Sequence, residues 1–279
     1  MRTPARILAA LFQGGGNIPL LMPVLDRLIA RGHAVRIMVG PGVRRSRLPV
    51  SCELERRIAS SGSVSISFRA PPSHPLDAVA RPKGIFGAWV PSGFRFVPGE
   101  AETAMWASVW AENVAEELRA APADLVVADF VLLGALVAAE AAGIPAVALM
   151  HTVSPRPRAG VPPYGPGWLP RRGPIGVARD ALGRTAVEYL YRRNALPPLN
   201  RARTSLGLAP LRSSFDQYDR AARLLMLVSA EFDYPAPRLP VNLTHVGTPM
   251  GDAGAAEWSR MSDPWFWSLS ARSTRARRP

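Results

Sequence analysis

The chain has 279 residues, 48% hydrophobic and 20% charged, a balance that excludes a disordered polymer and can bury a sizeable core. Its net charge of +13 is not a nucleic-acid footprint, because arginines are scattered over every segment, Lys83 is the single lysine, and only the solvated end (Arg272, Arg275, Arg277, Arg278) is dense. No membrane span is expected: the most apolar stretch, Leu125 to Met150, is broken by Asp129, Glu140, Gly143 and Pro145 before it reaches the roughly 20 residues a spanning helix needs.

Ala5 to Leu11 is short, apolar and free of proline, as a buried strand is. It runs into Gly14-Gly15-Gly16-Asn17 and then a helix with Leu21, Val24, Leu25, Leu28 and Ile29 at helical spacing and Pro19 near its first turn. Gly32 closes that helix beside basic side chains, and Ala34 to Val39 forms a second strand. Strand, glycine loop, helix and strand make a crossover unit, which implies parallel strands and puts the loop at the carboxyl edge of the sheet, where open α/β folds bind ligands.

Cys52 to Ala59 reads as a short helix. Because Cys52 is alone, no disulfide framework exists, and the expected compartment is the cytoplasm. Ser63 to Phe68 alternates like a third strand, and residues 70–98 form a long Pro- and Gly-rich loop carrying Phe86, Trp89, Phe94 and Phe96. A helix follows from Glu100 to Ala120, then a strand from Ala123 to Ala128 that ends at Asp129. Leu132 to Ala142 is the next helix, stopped by Gly143. Pro145 to Met150 is a fifth strand, delivering His151-Thr152 to the same edge.

After the loop 156–174 come helices over about 175–194 and 197–206, a strand at Leu224 to Ser229 and a last one at Leu243 to Gly247. The alternation predicts an α/β fold, a Rossmann-like doubly wound parallel sheet of about seven strands over residues 1–250, with an irregular basic tail over 251–279.

A dinucleotide site does not fit. Pro19 stands where a third glycine would pack helix on strand, and Met38-Val39-Gly40 ends the second strand without an acidic residue for a ribose. No GKS or GKT sequence offers a P-loop either. None of His33, His74, His151 and His245 has a partner at metal-ligand spacing, so no metal site is expected.

The order of the pieces resembles the amino-terminal half of family-one nucleotide-sugar glycosyltransferases. The residues that carry this are Gly14 to Leu20, Ala30-Arg31-Gly32-His33-Ala34-Val35, Asp124 to Asp129, Ala141 to Pro145 with His151-Thr152, and Leu227 to Pro235 with Asn242 to Gly247. These are GT-B enzymes, two Rossmann-like domains across a cleft, acting on macrolides, sterols and plant natural products. The resemblance implies the acceptor-binding half of an inverting enzyme that moves a sugar from a UDP- or dTDP-sugar to a hydroxyl of a small apolar acceptor. No bound cofactor is implied.

The family pairs a histidine base with an aspartate, and Asp129 matches the aspartate. Its other reading is the N-cap of the helix over 132–142, alone or together with the dyad role. Gly16 stands where the histidine should be, and glycine cannot take a proton. His151 is either a substitute base or an oriented structural histidine in the acceptor wall. Gly14, Gly15, Gly16, Asn17 and Thr152 are the expected acceptor contacts.

A donor half should begin after about residue 255, and Ser262 to Arg272 does not resemble one. The expectation is a truncated chain, inactive alone, that either pairs with a separate donor-domain chain or self-associates through the exposed interdomain face. The alternative is a non-catalytic module that binds a small molecule.

Overall fold

Seven strands and six helices are seen in a computed structural model that describes residues 3–12, 17–40, 62–67, 106–164, 167–171, 173–234 and 239–249. In chain order they are β1 (Arg6–Phe12), α1 (Asn17–Ala30), β2 (Ala34–Gly40), β3 (Val64–Ser67), α2 (Ala107–Ala120), β4 (Leu125–Asp129), α3 (Leu133–Ala141), β5 (Ala146–Met150), α4 (Pro174–Asn194), α5 (Leu196–Ser205), α6 (Asp216–Asp219), β6 (Arg223–Met226) and β7 (Leu243–His245). The four-residue α6 is the one element that sequence periodicity does not reveal. The expected helix over Cys52–Ala59, the loop 70–98, the glycines at 14–16 and the tail 251–279 lie outside the described residues.

All the strand pairs are parallel, in the order β3-β2-β1-β4-β5-β6-β7. The chain winds outward from β1 in one direction, then returns to the other side of β1 with β4. This is the doubly wound sheet that the alternation of elements predicts, and its direction of winding changes between β1 and β4.

Residue alternation along β1 explains why the strand is apolar throughout. Ile7, Ala9 and Leu11 face a cluster with Leu21, Met22 and Leu25 of α1, together with Val35, Ile37, Val127 and Leu149. Leu8 and Ala10 face the other layer, with Trp110 and Val114 of α2 and Leu136 of α3. A strand covered on both faces has no side to leave polar.

The stop of α1 follows the expected chemistry. Gly32 takes φ +85°, and His33 N–H donates 3.2 Å to Leu28 O while Gly32 N–H donates 2.8 Å to Ile29 O. His33 is structural: its Nδ1 accepts from the Ala5 N–H at 3.1 Å, tying the helix end to the start of β1.

The layer beneath β4 and β5 is held by a buried polar network. Arg203 of α5 donates from Nη1 to Glu140 Oε2 and Gln217 Oε1, each at 2.6 Å, and from Nε to Ala209 O at 2.8 Å. Burial by itself raises the Glu140 pKa, but the hydrogen bonds from Arg203 and Gln217 and the charges of Arg203 and Arg220 outweigh it and leave the carboxyl below its ordinary value. The network ties α3 to α5 and α6.

Candidate active site

The direction of winding changes between β1 and β4, and beside that switch, at the carboxyl edge of the sheet, three predicted site residues meet. Each arrives from a different strand. β1 leads toward α1, whose first residue is Asn17; β4 ends on Asp129; and β5 ends at Met150, immediately before His151. Parallel register sets β4 beside both neighbours, with Ala128 opposite Ala10 of β1 and Asp129 opposite Leu149 of β5.

Asp129 is completely buried, which an ionised carboxylate tolerates only with several partners. Asn17 Nδ2 donates to its Oδ2 at 3.0 Å, and the Val131 N–H donates to its Oδ1 at 3.3 Å. His151 Nε2 stands 3.5 Å from the same Oδ1. That distance suits an ion pair more than a formed hydrogen bond, and Nε2, itself buried, has no hydrogen-bond partner. The imidazole is steered by packing as well: its ring sits edge-on to Phe130, centroids 5.0 Å apart at 71°. Phe130 is in turn fixed through its carbonyl, which accepts from Tyr218 Oη of α6 at 3.0 Å.

The capping role foreseen for Asp129 is not what the side chain does. α3 starts at Leu133 after an N-cap, Leu132, with no side-chain cap hydrogen bond. The carboxylate turns back on its own backbone at Val131 and across the sheet to Asn17, because the segment 130–132 intervenes before the helix begins. Asn17, expected as an acceptor contact, has its amide nitrogen on Asp129. Thr152 follows His151 and is half-buried. Gly14, Gly15 and Gly16 lie outside the described residues.

A second polar cluster along the same edge has no counterpart in the sequence reading. Arg158, from the loop after β5, donates Nη2 to both oxygens of Asp233 at 3.0 and 3.1 Å, and His245 Nε2 of β7 lies 3.3 Å from Asp233 Oδ2. The only sequence signal for it was that all three residues fall at or beyond the ends of strands β5 to β7. Among the described residues, no group of three or more His, Cys, Asp or Glu side chains is placed to hold a metal ion. No helix among them is long and apolar enough to cross a membrane.

The chemical capacity of the first cluster is clear. A buried carboxylate held on both oxygens faces an imidazole at a strand end, the pairing that orients and charges a general base.

No protein-family profile matches the sequence. The chain is 26% identical over 247 residues to 4'-demethylrebeccamycin synthase of Lentzea aerocolonigenes, covering 87% of this chain and 56% of that protein. It therefore spans about half the length of the curated relative it matches. In fold it is similar to the glycotransferase of kitacinnamycin, with a TM-score of 0.61 at 14% identity over 94% of this chain and 56% of that one. The spinosyn forosaminyltransferase gives 0.51 at 13% over 88% and 51%, and the calicheamicin glycosyltransferase 0.50 at 16% over 88% and 53%. The chain thus resembles natural-product glycosyltransferases in sequence and shares a Rossmann-like GT-B half with them in structure.

Proposed function

We propose that this glycosyltransferase-like chain is the acceptor-binding half of an inverting enzyme, which transfers a sugar from a nucleotide sugar, UDP- or dTDP-linked, to a hydroxyl of a small apolar acceptor. One observation carries the reading: the buried Asp129 carboxylate lies 3.5 Å from His151 Nε2 at the carboxyl ends of β4 and β5. In the step itself the acceptor hydroxyl gives its proton to His151 while its oxygen bonds to the anomeric carbon. The bond from that carbon to the diphosphate breaks, and the nucleoside diphosphate leaves with the electron pair. The Asp129 carboxylate stabilises the imidazolium that forms. No step calls for a metal.

The 279-residue chain is expected to hold the acceptor and to need a donor half for turnover. Phe232, Val241 and Val246, all in the segment around the last strand, are exposed apolar side chains, which supports docking of a separate donor domain or a second copy.

Thermal denaturation with and without apolar aglycones, and with and without UDP- and dTDP-sugars, tests this. Stabilisation by an aglycone and none by nucleotide sugars is expected. Unaided sugar transfer would overturn the dependence on a donor half. Nucleotide-sugar binding as tight as an intact enzyme's would overturn the assignment as the acceptor half. Aglycone binding that persists while this chain, supplied with a donor half, transfers nothing would favour a non-catalytic binding module.

A further inference from the structure

The reading above, on which this inference rests, requires a base but not a particular atom of it. We infer that His151 works through Nδ1, with its own proton held on Nε2 toward Asp129, and that Asn17 is the residue that positions the carboxylate.

The argument begins with access. Nε2 is buried and faces the carboxylate at 3.5 Å, so an acceptor hydroxyl cannot reach it. A neutral imidazole carries one N–H, and an ionised carboxylate only accepts. With the proton on Nε2, the N–H is on the nitrogen 3.5 Å from Asp129 Oδ1 and the lone pair is on Nδ1. With the proton on Nδ1, two sets of lone pairs would oppose each other in a buried site, and neither Nε2 nor Oδ1 would gain from the encounter. Burial therefore selects the tautomer.

Asn17 enters through the other oxygen. Its Nδ2 on Oδ2 and the Val131 N–H on Oδ1 hold the carboxylate at both ends, so it cannot rotate away from the imidazole. The asparagine sits at the first position of α1, directly across the switch from β4. Having given its amide to Asp129, it acts on the acceptor through Asp129 and His151.

During transfer the acceptor proton arrives on Nδ1 as the new C–O bond forms and the bond to the diphosphate breaks. The imidazolium then carries two N–H groups, and its Nε2–H faces a full negative charge.

The test uses the 15N-labelled chain and long-range 1H–15N correlations of its histidine rings, with His151→Gln to identify the signals among four histidines. In the neutral form, His151 is expected to show a protonated Nε2 and a bare Nδ1; the reverse pattern overturns the nitrogen assignment. Asn17→Ala is expected to move the His151 ring 15N and Nε2–H chemical shifts, because the carboxylate is no longer held on Oδ2. Unchanged shifts overturn the positioning role. Asp129→Asn is expected to bring the Nδ1-protonated form into the mixture, because an amide no longer selects the Nε2–H tautomer. Should that variant not fold, the unsubstituted chain and Asn17→Ala still decide both points. None of these measurements involves acceptor or sugar. A reversed tautomer with intact aglycone binding sinks only this inference, and the expected tautomer without aglycone binding sinks only the transfer reading.

Discussion

Gly134→Ala gives a direct test of how closely α2 and α3 pack. Local rules favour the substitution: alanine is better than glycine inside a helix by about 1 kcal/mol and loses less entropy on folding. Gly134 has no special backbone conformation to protect, since it is not among the positive-φ glycines. A Cβ there would nonetheless overlap the carbonyl oxygen of Ala107 and stand 2.9 Å from both Ala107 C and Ala111 N, where ordinary contact begins at 3.4 Å. Those atoms are helix backbone and cannot swing aside. Relieving the overlap with Ala107 O requires α2 and α3 to part by about 1 Å. A gap of that order forfeits up to about half of each dispersion contact between them.

Overpacking costs about 1–3 kcal/mol, and a backbone obstacle belongs at the upper end. Set against the local gain, a net loss of about 2 kcal/mol follows, or roughly a 4–8 °C fall in Tm for a domain of this size. Thermal melts of the two proteins, followed by circular dichroism under identical conditions, provide the measurement. Gly143→Ala serves as a contrast, because its site is open and only its φ of +67° resists a side chain. Equal or higher stability of Gly134→Ala would refute the reasoning about the helix contact.

Arg203→Met should destabilise the fold by about 3 kcal/mol in urea titration, because it strands Glu140 and Gln217 of a buried network. Since Glu140 has a lowered native pKa, its contribution is present above its ordinary value of 4.5 and is lost as pH falls through the lowered one. Glu140→Gln should therefore flatten the acid limb of the stability curve. Asp124 is drawn down to about 2 by the Arg6 side chain, then by the Arg6 backbone N–H; carboxyl NMR should show it rising toward 3.8 in Arg6→Ala. Tyr218→Phe should cost about 1–2 kcal/mol, because it removes the hydrogen bond that Tyr218 gives to the buried Phe130 carbonyl.

By itself the sequence determined the elements and the edge on which they end. Parallel strands buried on two faces must be nearly continuous runs of apolar residues, so β1, β4 and β5 could be read within a residue or two of their bounds. Asp129 and His151 stood out because each breaks such a run at its carboxyl end. What only the tertiary structure decided is adjacency. Asn17 and Asp129 are 112 positions apart, and they touch because β4 returns to lie beside β1, a pairing that periodicity does not encode. The same holds for the choice between capping and pairing at Asp129, which depends on where α3 begins, and for Gly134, whose missing side chain matters only because another helix crosses it. Local chemistry sets what each segment becomes. Long-range packing sets which groups share a buried space, and in that space the exclusion of water makes an asparagine, a carboxylate and an imidazole answer to one another.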